Sequence, residues 1–170
     1  MPVTRLANST VDGVANTVDE TRAEVLRYAG SDLLCYRAIA PERLVALQEE
    51  KWGPLIDWMQ KRFQARFMLA AGIVHVEQFP ETIAAVDQAI GELDAYRIAA
   101  LNTVTTLTGS AILAVAVLHG HLSAEEGWSL AHIDEDYQIS LWGEDEEAGA
   151  RREARWREMQ AAALVLAARA

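Results

Sequence analysis

The chain has 170 residues, 51% of them hydrophobic, and 15 Lys and Arg stand against 25 Asp and Glu, giving a formal net charge of −10. That length can bury a core without staples, and that charge argues against non-specific nucleic-acid binding, which needs cations to neutralise phosphates. The lone Cys35 excludes an internal disulfide framework and any Cys-built metal site.

The periodicity is helical nearly throughout. Val3, Leu6, Ala7, Thr10, Val14 and Val18 mark one face of a first helix, which Val25, Leu26 and Ala29 continue until Gly30 caps it. Ser31 to Ala40 reads as an apolar connector. Pro41 suits the first position of a second helix carrying Leu44, Leu47 and Gln48, which is expected to break at Trp52-Gly53-Pro54 and resume through Leu55, Trp58, Met59 and Phe63. Phe67 to Gln78 holds β-branched residues, but with no partner run it reads as a connector and not a sheet. From Pro80 a helical pattern runs through Ile83, Val86, Ile90, Tyr96 and Val104 to Leu118. Ser123 and Glu126 form a capping-box pair that opens the next helix, and a final helix from about Glu144 carries Arg152, Trp156, Met159, Ala163 and Leu166 along one stripe. The expected fold is an all-α bundle of about six or seven helices in one domain, residues 1–170.

Between Arg97 and Glu125 lie 27 residues without Asp, Glu, Lys or Arg. Its first half is rich in Thr, and the continuous apolar part, Ala111 to Leu118, is too short to span a bilayer. It therefore reads as the buried central helix of a bundle, with no stable membrane insertion.

The acidic charge is concentrated. Ser123 to Glu147 contains nine acids and no Lys or Arg, so the other 145 residues sum to −1. At 100° per residue, Trp128, Ala131, Glu135, Ile139 and Trp142 share one stripe, while Leu130, Ile133, Tyr137 and Leu141 form another on nearly the opposite side. A helix with two apolar faces needs two covers, from its own fold or from a partner. Glu135 stands out as an acid among Trp and Ile, costly to bury unpaired. Two readings stand: an internal ion pair with Arg5, Arg37 or Arg97, or a partner-facing carboxylate framed by aromatics. Glu144 to Glu147 form an acidic helix start that the macrodipole favours, within reach of Arg151, Arg152 and Arg155.

No phosphate loop, dinucleotide fingerprint or nucleophile elbow is present. His132 and Glu135 have ligand spacing for a helical metal-dependent enzyme, but Glu-x-x-His in the order used by di-iron bundles does not occur, so no metal or cofactor is expected. Asn8-Ser9-Thr10 matches a glycosylation sequon in a chain that does not open with a secretory pattern. Cys35 beside Arg37 reads as a small buried filler more than an activated thiol. Only two of the 15 basic residues are Lys, a bias that points to a GC-rich bacterial gene.

Several blocks nevertheless form an ordered series. They are Pro2-Val3-Thr4-Arg5-Leu6-Ala7-Asn8, Asp32-Leu33-Leu34-Cys35-Tyr36-Arg37-Ala38, Trp52-Gly53-Pro54-Leu55 with Trp58, Leu107-Thr108-Gly109-Ser110, and Asp134-Glu135-Asp136-Tyr137-Gln138 running into Trp142-Gly143-Glu144-Asp145. Together they resemble the ATP-twelve family, assembly chaperones for the catalytic head of the F-type ATP synthase. The resemblance implies a non-enzymatic protein that binds the free alpha subunit of the head and shields its beta-subunit-binding surface until assembly. It acts in the bacterial cytoplasm, or in the mitochondrial matrix if eukaryotic. The partner-binding residues it implies are Asp134, Glu135, Tyr137, Gln138, Trp142, Glu144 and Asp145. The family normally carries a strand-rich domain before the Pro-x-Thr-Arg-Leu-Ala-Asn block, which here begins at the second residue. Either the chain is the C-terminal domain of a longer family protein, which is the expectation, or the smaller domain is absent. A helical interaction module with a different client is the remaining alternative.

Overall fold

The computed structural model of the chain describes residues 15–168. The start of the first helix, the sequon and Arg5 lie outside the described residues. The described residues form eight α-helices: α1 (Ala15–Gly30), α2 (Glu42–Phe63), α3 (Pro80–Ile90), α4 (Ala95–Thr108), α5 (Ala111–Leu118), α6 (Ala124–Ala131), α7 (Ile133–Trp142) and α8 (Glu146–Ala167). The all-α reading holds. The number of helices departs from six or seven because breaks fall at places different from those expected.

Pro54 does not break its helix. It stands inside α2 with its own surface exposed, so the carbonyl it orphans one turn back, on exposed Glu50, faces water. Buried Trp52, Leu55 and Met59 hold both halves of α2 on the core, and that packing outweighs the local penalty. Conversely, the run from Pro80 to Leu118 is three helices. Gly91 (φ +68°) and Gly109 (φ +76°) end α3 and α4 in conformations that a side chain would resist. Asp94 and Ser110 then open α4 and α5 by accepting the N–H groups of Arg97 and Leu113.

The connector reading of Phe67 to Gln78 is also corrected. β1 (Tyr36–Arg37) and β2 (Ala70–Ala71) form a short parallel pair, Tyr36 opposite Ala70 and Arg37 opposite Ala71. The partner run missing from the sequence pattern was the Ser31–Ala40 connector itself, whose two paired residues are too few to show alternation.

α5 is the expected centre. It packs against α1, α2, α3, α4, α6 and α8, and Ala111 through Ala116 are wholly buried. No helix among the described residues is long and apolar enough to cross a membrane. A helix enclosed in this way cannot borrow water for its first N–H groups, so the protein must supply acceptors. Buried Asp32 supplies them: Oδ2 accepts Ile112 N–H at 3.0 Å, and Oδ1 accepts the Ser110 hydroxyl at 2.6 Å and Leu34 N–H at 3.1 Å. Leu33 N–H meets the Gly109 carbonyl at 3.1 Å. Two of the sequence blocks, Asp32–Ala38 and Leu107–Ser110, are thus the two halves of one clasp. Cys35 sits beside it, fully buried, and desolvation together with the Asp32 charge pushes its thiol pKa up, so it is an inert filler.

Candidate partner-binding surface

The acidic segment does not fold as one helix. At His132 the α6 ladder gives way: the backbone N–H turns back only to Ser129, and the imidazole Nδ1 takes the Trp128 carbonyl at 2.6 Å. A carbonyl can only accept, so Nδ1 carries the proton. A side chain inserted into the i→i−4 ladder is a recognised cause of a kink. α7 restarts at once, with the His132 carbonyl accepting Asp136 N–H at 2.8 Å.

The kink overturns the single stripe expected for Trp128 and Trp142. Trp128 turns into the core at 7% exposed, whereas Trp142, at the end of α7, is 81% exposed and its neighbour Leu141 is 50% exposed. Ile133 is the only buried residue of α7, so this helix lies on the surface of the bundle. It is pinned at two points. Gln48 on α2, itself buried, donates to Asp134 Oδ1 at 2.6 Å while its carbonyl accepts Ala38 N–H. Arg152 on α8 donates to both oxygens of Asp136, at 2.5 and 3.4 Å.

Glu135 does pair inside the chain, but not with any cation expected from the sequence. Arg37 bonds the Leu34 carbonyl and leans over the Trp52 ring, Arg97 bonds the Leu166 carbonyl, and Arg5 lies outside the described residues. The partner is Arg152, at 3.6 Å, with His132 Nε2 at 3.8 Å on the other side. Both contacts are long, the Glu135 side chain is 40% exposed, and Arg152 is already held by Asp136. An exposed pair of this kind adds little stability and leaves carboxylate lone pairs open to another molecule.

The remaining singled-out residues divide by role. Asp145 caps α8 by accepting Ala148 N–H, and Tyr137 packs partly against the core. Gln138 and Glu144 are exposed. The outward set is therefore Glu135, Gln138, Trp142 and Glu144, with Leu141 added by the structure. No group of three or more His, Cys, Asp or Glu suited to a metal ion occurs among the described residues. Ile39, Ile73 and Val74 form another exposed apolar group near the strand pair, but it contains none of the residues singled out from sequence.

Burial lowers the His132 pKa, against its hydrogen bond to the Trp128 carbonyl. A histidine held neutral in the fold contributes stability above its unfolded value of 6.5, and that contribution is lost as the pH falls through the lowered folded value. We expect His132→Gln to lose the part of the pH dependence of unfolding that lies below 6.5, measured by urea titration at stepped pH. An unchanged pH profile would contradict the assignment.

Known proteins share this sequence and fold. Residues 1–60 match the family model described as ATP12 chaperone protein. A putative chaperone from Agrobacterium tumefaciens is 47% identical, with a TM-score of 0.94 over 98% of this chain and 62% of that one. The crystal structure of Atp12 from Paracoccus denitrificans is 39% identical, with a TM-score of 0.92 over 98% of this chain and 71% of that one. The chain belongs to the ATP12 family. A mitochondrial Atp12 protein of Schizosaccharomyces pombe is 23% identical over 157 residues, which are 87% of this chain. The chain spans about half, 54%, of that ATP12 relative's length.

Proposed function

We propose that this ATP12-family chain is an assembly chaperone that binds the free alpha subunit of the F-type ATP synthase head and shields the surface destined for the beta subunit. Family membership supports the chaperone class, and relatives bearing the Atp12 name cover most of the chain. The observation that carries the choice of surface is Trp142. A Trp left 81% exposed beside Leu141 and a run of carboxylates is the composition of an interface anchor, not of a solvated helix end. On this reading Glu135, Gln138, Trp142 and Glu144 touch the client, while Asp134, Tyr137 and Asp145 hold the platform they stand on. The work is binding without catalysis, and its place is the bacterial cytoplasm, which the two bacterial neighbours support.

The test is co-purification of tagged chain with free alpha subunit, comparing wild type and Glu135→Lys. The wild type is expected to retain the alpha subunit. Glu135→Lys, which sets a cation against Arg152 and reverses the charge offered to the client, is expected to lose most of it. Equal retention by both would remove Glu135 from the surface.

A further inference from the structure

Beside the exposed end of α7, the start of α8 closes over a recess of about 290 Å³ lined by Trp128, Glu144, Gly149, Arg152, Glu153 and Trp156. It is smaller than most small-molecule sites, which run roughly 300–1,000 Å³, and suits a single side chain. Its apolar walls are two indoles 5.6 Å apart and tilted by 46°. Its rim carries two carboxylates. The Glu153 carboxylate has no ion pair or hydrogen bond among the described residues, and it stands exposed on α8. Glu144 is held in place by a gap: a Cβ on Gly149 would come within 2.7 Å of its Oε1, so glycine at that position leaves the space the carboxylate fills.

The one cation in the lining does not supply the missing partner. Arg152 is drawn toward Asp136 and Glu135, and Glu144 acts on it only through its field. Among the residues that line the recess, Glu144 and Glu153 outnumber Arg152, so the lining itself keeps a formal charge of −1. The half-buried Trp156 indole and the carboxylates together favour a planar, weakly hydrated cation, which can stack and donate two hydrogen bonds to a carboxylate at once.

We propose that the recess between Trp128, Trp156, Glu144 and Glu153 receives the guanidinium of an arginine side chain on the client. The source of that arginine rests on the chaperone reading above; the chemistry of the recess does not. Occupied in this way, the recess and Trp142 form a two-point clamp, one taking a cation and the other entering an apolar hollow.

The experiment titrates the 170-residue chain with N-acetyl-arginine amide and follows the indole N–H resonances of Trp128 and Trp156 by NMR. Saturable shifts at both are expected, absent with the uncharged citrulline analogue and weakened at least tenfold in Glu144→Gln/Glu153→Gln. Both exposed carboxylates can be neutralised without disturbing the core. Shifts that do not saturate, that citrulline reproduces, or that survive in the double variant overturn the proposal. Alpha-subunit retention is measured in parallel. Retention undiminished in the double variant also overturns the recess as a client contact, and leaves the chaperone reading standing. Failure of wild type to retain the alpha subunit, with arginine binding intact, overturns the chaperone reading and with it the client as the source of the arginine.

Discussion

Replacing Asp32 with Ala is expected to destabilise the chain by about 3–5 kcal/mol, because it strips acceptors from several donors in a water-free core. The Ser110 hydroxyl and the N–H groups of Leu34 and Ile112 all end on this one carboxylate. Against a typical stability of roughly 5–15 kcal/mol, that loss is a large fraction of the whole. The pH dependence carries its own signature. Burial, working against those hydrogen bonds, pushes the Asp32 pKa up from 3.8 to about 6. The fold therefore holds the Asp32 proton more tightly than the unfolded chain does. Its contribution is complete below 3.8 and is lost as the pH rises through about 6. Measured against Asp32→Asn, which does not titrate, the stability of wild type should fall by about 2–3 kcal/mol between about pH 4 and 7. Urea unfolding at stepped pH reads this difference directly. A flat difference would mean that the carboxylate is not enclosed as described.

Trp142→Ala is expected to weaken alpha-subunit capture by about thirtyfold or more, the size of a loss at an interface anchor of about 2 kcal/mol. The same substitution should leave the melting temperature almost unchanged, since the side chain is 81% exposed and makes none of the contacts that build the core. That separation of effects gives the variant its value. A change in Trp128, by contrast, would disturb the Trp156 and His132 ring contacts and confound binding with stability. Capture that is unaffected by Trp142→Ala would move the client surface away from α7.

The layout of the bundle was readable wherever the physics is local. Ser123 with Glu126 formed the capping box, both hydrogen bonds present, and the stripe of the last helix faces inward as its spacing implied, with Met159 and Leu166 buried. The uncharged run announced a buried helix because nothing else tolerates such a composition in water. The breaks at Gly91 and Gly109 were missed, although each glycine is followed within three residues by a capping Asp or Ser. Apolar periodicity continuing across them masked both. Pro54 erred in the other direction, since a local helix-breaking preference gave way to tertiary packing at Trp52 and Met59.

The kink at His132 was not readable in the same way. It arises from a side chain bonding a carbonyl four residues back, and helical spacing alone assumes that such bonds stay in the backbone. One consequence was a stripe that joined Trp128 to Trp142 although one is buried and the other exposed. Another was the choice of cation for Glu135. Arg152 reaches it only because α8 packs beside α7, a fact of tertiary structure. The acidic segment stood out by its charge alone, but its division into anchoring and outward-facing residues required the fold. Asp134 accepts from Gln48 and Asp136 from Arg152, whereas Glu144 makes no hydrogen bond or ion pair among the described residues and Trp142 stands 81% exposed.

Shielding of the alpha subunit is tested by following aggregation of free alpha subunit by light scattering after dilution from denaturant, with and without the chain. The soluble fraction is then run on a sizing column. The chain is expected to suppress scattering, co-elute with the alpha subunit, and be released when beta subunit is added, because both cannot occupy the same surface. Scattering unchanged by the chain, or a stable complex holding the chain, alpha and beta subunits together, would contradict shielding of that surface.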